Sequence, residues 1–224
     1  MAIIIAFDGN VYTGKTGIIK KFCSEYKFSY IKEYSEYFQI KSLEQNLGVD
    51  KYLKRQYQYL IVDKLRSKDI TSSKINLLDR SYISLSAHVL ALYITYKIDI
   101  RKEFLGLLRQ FINERKIILP NAFVYIKCEL DCVKKRINQK GQRKNMPRFY
   151  IDKCYFKSID YFNQRWSKIV KPWSMVIDTT NWREISFKKL ISFIRSVGQI
   201  KPNRPSLPLD PKNIISKITD IFQY

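Results

Sequence analysis

The chain has 224 residues, 46% of them hydrophobic and 14% aromatic, which is enough to bury a core and excludes wholesale disorder. It carries 41 Lys and Arg against 20 Asp and Glu, a formal net charge of +21, so a nucleic-acid or protein-assembly partner stands beside a plain solubilising surface as the reason for the excess. Four scattered cysteines, Cys23, Cys128, Cys132 and Cys154, form neither a disulfide framework nor a paired C-x-x-C metal site, which points to a reducing, cytoplasmic compartment.

The elements follow in chain order. Ile3–Phe7 is an unbroken apolar run of the kind buried on both faces of a parallel sheet. A helical pattern covers Lys15 to Tyr26, and Phe28–Ile31 reads as a second strand. Gly48–Lys68 is helical, with Tyr52, Gln56, Tyr59, Leu60 and Asp63 at helical spacing. Ile75–Leu78 is a third strand, followed by helices over Ser84–Tyr96 and Arg101–Lys116. Ala122–Ile126 is a fourth strand, Cys132–Gln139 a basic helix and Ile151–Ile169 a long aromatic-rich one. Met175–Ile177 is a fifth strand, and Trp182–Val197 closes with a helix. This βαβα alternation implies an α/β fold with a doubly wound, five-stranded parallel sheet and helices on both faces.

The end of the chain differs in kind. Pro202, Pro205, Pro208 and Pro211 prevent regular helix, and beyond them Ile214, Ile215, Ile218, Ile221 and Phe222 form an apolar helical stripe. The expected division is a domain over residues 1–198, then a Pro-rich linker and C-terminal amphipathic helix over 199–224. That helix docks on its own domain by default, or on a partner protein. No membrane partner is expected. The longest uncharged stretch, Ser81 to Tyr96, falls short of the ~20 residues a spanning helix needs, and the apolar start lacks a basic n-region.

Gly9-Asn10-Val11-Tyr12-Thr13-Gly14-Lys15-Thr16 fits G-x-x-x-x-G-K-[ST] between a buried strand and a helix, where backbone N–H groups and a helix N-terminus cradle phosphate. The loop, through Gly17, is the expected nucleotide site. Lys15 reaches the β- and γ-phosphates, and the Thr16 hydroxyl ligates Mg²⁺. Tyr12 occupies a position where a small residue is expected, so its ring either turns outward or distorts the loop.

Phe7-Asp8-Gly9-Asn10-Val11 through Gly14-Lys15-Thr16 resembles the phosphate loop of deoxynucleoside kinases, E-G-N-I-G-S-G-K; the related thymidylate kinases carry an acidic residue at the place of Val11. Asp79-Arg80-Ser81 is similar to the E-R-S of the first group and the D-R-Y of the second, and Ser84 and Ala87 continue the thymidylate kinase version. Arg136-Ile137 with Lys140-Gly141-Gln142-Arg143 resembles the lid motif R-I-x-x-R-G-R. The likeness runs over residues 1–197 and implies a three-layer P-loop kinase fold, with ATP and Mg²⁺ as cofactors and a lid over about 136–150.

The resemblance implies roles for individual residues. Glu33, just past the second strand, becomes the general base for an acceptor hydroxyl, with Glu25 and Glu36 eligible by composition. Arg80 holds the acceptor oxygen or the transferring phosphoryl group, and Asp79 supports the metal through water. Gln56 reads the acceptor base, with Gln58 as competitor, and Ser84 joins the substrate contacts. Arg136 and Arg143, with Arg148 third, close over the triphosphate. Nine cations (Lys134, Lys135, Arg136, Lys140, Arg143, Lys144, Arg148, Lys153 and Lys157) face Asp152 alone between Cys132 and Lys157, more than one ATP needs.

His88 reads as a packed or surface histidine, Trp166, Trp173 and Trp182 as core or lid-base packing, and the cysteines as buried apolar residues. The expected activity is ATP-dependent phosphorylation of a deoxynucleoside 5′-hydroxyl. The alternatives are a thymidylate kinase, a polynucleotide 5′-kinase, and a weak or inactive kinase-like subunit of an assembly. Tyr12, Lys140 in the place of an arginine, the lack of a following lid Glu and the C-terminal helix all point toward the last. The resemblance also implies a possible homodimer.

Overall fold

The computed structural model describes residues 2–37, 49–72, 74–139, 147–181, 184–199 and 208–223. Its centre is β1 (Ile3–Asp8), with β3 (Ile75–Asp79) on one side and β4 (Ala122–Lys127) on the other. β2 (Ser29–Ile31) and β5 (Ser174–Asp178) lie at the edges of an all-parallel sheet of order β2-β3-β1-β4-β5. Ile5 stands opposite Leu77 and Ala122, so β1 is paired along both edges. Asn121 extends the ladder, its Oδ1 accepting from the Ile4 N–H at 2.7 Å while its own N–H donates to the Ile4 carbonyl at 2.7 Å.

Alternation along β1 divides the core into two layers. Ile5 and Phe7 point into a cluster with Ile19 and Phe22 of α1 (Lys15–Tyr26) and Leu190 and Ile194 of α7 (Glu184–Gly198). Ile4 and Ala6 point into a larger cluster on the opposite face. That cluster is built from α2 (Val49–Arg66), α3 (Tyr82–Tyr96), α4 (Arg101–Asn113) and α6 (Lys153–Ile169). The basic helix α5 (Leu130–Gln139) flanks a third, smaller cluster beside the C-terminal ends of the strands. This is the three-layer P-loop kinase arrangement expected from the sequence.

The expected helices and strands recur with their ends moved by a few residues. α3 begins at Tyr82 because the Ser81 side chain caps it, accepting from the Ile83 N–H at 3.2 Å. α6 begins at Lys153, behind Asp152, whose carboxylate accepts from the N–H groups of Cys154 and Tyr155; the expected residues before it form a 3₁₀ turn, Arg148–Ile151.

α8 (Pro211–Phe222) follows an Asp210 cap. Its apolar stripe, Ile214, Ile215, Ile218, Ile221 and Phe222, is buried in the larger cluster. The Phe162 and Phe222 rings lie 5.9 Å apart, and Arg101 Nη1 donates to the Phe222 carbonyl at 2.7 Å. The stripe is therefore taken up by α4 and α6 of the same chain rather than held ready for a partner. Pro202 and Pro205, like Gly48 and Trp182, lie outside the described residues.

One expectation about packing is corrected. Only Cys128 is fully buried; Cys23 and Cys132 are half-buried and Cys154 is exposed on α6. Trp166 is in the core, whereas Trp173 is half-buried. Among the described residues no helix is long and apolar enough to cross a membrane.

Candidate active site

The loop between β1 and α1 lies at the switch point of the sheet, where β1 has neighbours on both sides. Gly9 makes its first bend at φ +137°, and a Cβ there would meet the Ile126 carbonyl oxygen at 2.3 Å, so only glycine lets the loop cross β4. The loop is stapled from outside. Asn10 Nδ2 donates to Asp160 Oδ1 at 2.8 Å and to the Phe156 carbonyl at 3.2 Å. Thr179 Oγ1 donates to the Thr13 carbonyl at 2.7 Å, and Thr13 Oγ1 to the Asn10 carbonyl at 3.0 Å. Tyr12 lines the outer cavity and its ring packs against the small cluster that α5 flanks.

Lys15 is buried. Its Nζ donates to the Asn10 carbonyl at 2.5 Å and the Gly9 carbonyl at 3.2 Å, oxygens that stand where a phosphate would compete. Burial pulls its ammonium down to about 7; Arg80 adds to the fall while Asp79, Glu33 and Asp8 oppose it. An anion in the loop would oppose that shift by its charge, as the carboxylates already do.

Thr16 and Asp79 meet at the mouth of the loop, the Thr16 hydroxyl donating to Asp79 Oδ2 at 2.5 Å. Asp79 Oδ1 is buried with no hydrogen-bond partner among the described residues. Burial pushes its carboxyl above the usual range, with Lys15 pulling against it. A hydroxyl beside a buried, under-bonded carboxylate fits a Mg²⁺ ion whose other ligands are phosphate oxygens and water. Among the described residues no group of three or more His, Cys, Asp and Glu gathers to hold a metal unaided.

Arg80 follows Asp79 in the left-handed region, at φ +68°. Its backbone is gripped from behind by Arg66 of α2, whose Nη2 donates to the carbonyls of Asp79 and Arg80 at 2.8 and 2.9 Å. Arg66 in turn pairs with Asp63 at 2.8 Å, both side chains fully buried. The Arg80 guanidinium is thereby aimed into the crevice, where Nε donates to Glu33 Oε1 and Nη1 to the Gly9 carbonyl at 3.1 Å. Burial alone would raise the Glu33 carboxyl, but Arg80 and Lys15 hold it below the ordinary carboxylate range.

Two cavities meet at this pair. The outer one, about 980 Å³, is lined by the phosphate loop with Lys21, Arg136, Gln139, Thr179 and Phe187. The inner one, about 310 Å³, is walled by aromatic and apolar side chains, among them Tyr34, Tyr52, Tyr59, Leu85, Tyr150, Tyr155 and Ile159. Glu33, Arg80 and Tyr150 line both.

The other sequence candidates divide. Gln56 is fully buried on the α2 face that carries Tyr52 and Tyr59, and neither amide atom has a partner among the described residues; Gln58 is exposed. Ser84 lines the inner cavity, but its hydroxyl donates to Asp8 Oδ1 at 2.6 Å. Glu36 accepts from the Tyr30 hydroxyl at 2.9 Å, and Glu25 pairs with Lys21 on the surface. Arg136 lines the outer cavity, its guanidinium donating to the Tyr12 carbonyl at 3.2 Å and the Thr179 carbonyl at 2.6 Å. Arg148, Lys134, Lys135, Lys153 and Lys157 are exposed and line neither of these cavities, so of the described cations in this stretch only Arg136 lines the outer cavity. Lys140, Gly141, Gln142, Arg143 and Lys144 lie outside the described residues.

Several site residues were missed from sequence. His88 is packed as expected, against Phe149 and Tyr155, but it also lines the inner cavity; it bonds Tyr155 through Nδ1 and is pulled down to about 4 by burial and by Arg80. Asp8 ties β1 to α3 by accepting from the Ser81 N–H and from both the Ser81 and Ser84 hydroxyls. Asp160 and Thr179 have no local signal, since each acts on a segment far away in sequence; Arg66 shows only its i,i+3 partner Asp63, not its grip on the end of β3.

A family model described as deoxynucleoside kinase matches residues 5–197. Among solved structures, a deoxyadenosine kinase from M. mycoides with bound dCTP superposes with TM-score 0.61 at 16% identity, covering 87% of this chain and 100% of that one. The same enzyme with dCMP and dCDP gives TM-score 0.62 at 15% identity, with 87% and 100% covered. A thymidylate kinase from Candida albicans gives 0.59 at 14% identity, with 87% and 92% covered. At these identities the likeness establishes the fold. A sequence search of curated proteins finds no match.

Proposed function

Because the chain belongs to the deoxynucleoside kinase family and is a nucleoside or nucleotide kinase, we propose that it moves the γ-phosphoryl group of ATP to the 5′-hydroxyl of a deoxynucleoside. The observation that carries this reading is the Glu33–Arg80 pair on the wall common to both cavities. The triphosphate occupies the outer cavity along the phosphate loop, and the acceptor occupies the inner one.

The steps follow from the groups present. Lys15 leaves the loop carbonyls for phosphate oxygens and regains its full charge. Glu33, ionised by its cationic neighbours, accepts the proton of the attacking hydroxyl. A carboxylate held below its ordinary range is a weak base. In a loose phosphoryl-transfer transition state little negative charge sits on the nucleophile, so placement weighs more than basicity. Arg80, already bonded to Glu33, offers its guanidinium to charge gathering on the phosphoryl oxygens. Thr16 and Asp79 would hold Mg²⁺, which when bound neutralises the β- and γ-phosphate oxygens.

The same carboxylate bears on the choice of acceptor. A nucleoside monophosphate would bring a dianion against Glu33, whereas a neutral hydroxyl meets no such repulsion. Arg55, on the inner wall, is the observation that favours the second reading, transfer to a monophosphate. Gln56 does not itself line the inner cavity, but its buried, unpartnered amide lies on the α2 face of Tyr52 and Tyr59, which do, and would be the group that reads a base edge.

The test is transfer from labelled ATP, with Mg²⁺, to deoxynucleosides, their monophosphates and 5′-hydroxyl oligonucleotides, with Lys15→Ala as control. Transfer to deoxynucleosides that is lost in the variant is the expected result. Transfer to monophosphates alone would select the second reading, and transfer to oligonucleotides alone would contradict both.

A further inference from the structure

Tyr12 adopts φ +55° within the phosphate loop, between Gly9 at +137° and Gly14 at +98°. A residue with a Cβ takes that conformation only at a cost, so something nearby must hold it there. The ring supplies one hold. It packs beside Leu130, Cys132 and Ile151 onto a buried cluster of Cys128, Val133, Ile137 and Phe156. Val133 and Ile137 belong to α5, while Phe156 lies in the first turn of α6. The backbone supplies the other hold, since the Tyr12 carbonyl accepts from Arg136 Nη1 at 3.2 Å. Arg136 is itself braced by Thr179, through Nη2 to the carbonyl at 2.6 Å, and Thr179 also bonds Thr13.

One loop residue is therefore held through its side chain by a cluster to which α5 and α6 contribute, and through its backbone by Arg136 of α5. We propose that Tyr12 is a positioning residue that clamps the phosphate loop to α5 and the start of α6, fixing the loop N–H groups and the Arg136 guanidinium for a nucleotide triphosphate before it binds. The proposal rests on the reading of the outer cavity as the ATP site. Pre-ordering of this kind strengthens binding of ground state and transition state alike, so its loss appears in KM for ATP and not in kcat.

The experiment compares wild type, Tyr12→Gly, Tyr12→Phe and Ile151→Ala, measuring the Kd of a non-hydrolysable ATP analogue, steady-state kinetics for both substrates, and the thermal midpoint. Glycine removes the ring but suits the local φ, so the fold is expected to survive. Tyr12→Gly should weaken the analogue roughly tenfold and raise KM for ATP in step, with kcat and the acceptor KM within roughly twofold of wild type. Tyr12→Phe, which keeps the packed ring, should restore the ATP KM. Ile151→Ala, which loosens the packing on the cluster that also seats the ring, should shift it in the same direction as glycine and serves in its place if Tyr12→Gly does not fold. Wild-type analogue affinity in the variant that removes the ring, or a Phe variant as weak as the Gly variant, would overturn the clamp. A wild-type protein that binds no ATP analogue at all would overturn the proposed function and the clamp together.

Discussion

Arg80 Nε donates to Glu33 Oε1 while Nη1 of the same guanidinium donates to the Gly9 carbonyl at 3.1 Å, so one arginine joins the carboxylate on the wall between the two cavities to the phosphate loop. Glu33→Gln keeps the shape of the side chain and removes the proton acceptor. It should lower kcat by about 10²–10⁴-fold while leaving ATP affinity within a few-fold of wild type. Rapid-quench measurement of the transfer step checks this, and an unchanged rate would remove Glu33 from proton transfer.

Lys15 links nucleotide binding to pH. Its free-state value of about 7 leaves it mostly neutral at pH 8, where a terminal phosphate with second pKa ~6 is already ionised. Bound triphosphate restores the ammonium, so the bound state holds more protons than the free state. Affinity should therefore fall as pH rises above about 7 and level off below it. Calorimetry at pH 8 in buffers of different ionisation enthalpy should find uptake of about one proton per nucleotide. Binding with no proton uptake would contradict the buried, phosphate-seeking lysine.

The buried Asp63–Arg66 pair is the scaffold behind Arg80. Arg66→Met leaves Asp63 uncompensated and two carbonyls without donors, which should cost about 3–5 kcal/mol in urea unfolding. Replacing both partners, Asp63→Asn with Arg66→Met, should cost less than the sum of the single changes. Additivity would show that the two side chains do not act as a unit.

Most of the scaffold was legible in the sequence because β1 is unbroken apolar chain and the glycine–lysine loop follows it at once. Asp79 and Arg80 were legible for the same reason, since they end a buried strand at the edge where the sheet opens into the crevice. What could not be read was direction. Whether His88 looks into the core or the inner cavity depends on how α3 meets α6, and whether the Tyr12 ring enters the loop or leaves it depends on α5. The charge excess sharpened as well, since the exposed lysines of α5 and α6 lie outside the outer cavity and Arg136 alone of the described cations there lines it.

The last helix carried a readable stripe but no readable destination. With Ile218 fully buried between the other helices, Ile218→Ala should destabilise the isolated chain by about 2–5 kcal/mol. A change within ~0.5 kcal/mol would mean that α8 contributes nothing to the fold of the monomer.

The central claim is that donor and acceptor sit in two cavities that touch at Glu33 and Arg80. A bisubstrate analogue, a deoxynucleoside joined at its 5′-oxygen through a polyphosphate to adenosine, tests it most directly. Competition measured against each substrate in turn should show the analogue displacing both ATP and the deoxynucleoside, and binding far more tightly than either. An analogue that competes with ATP alone, and binds no better than ATP, would contradict the account.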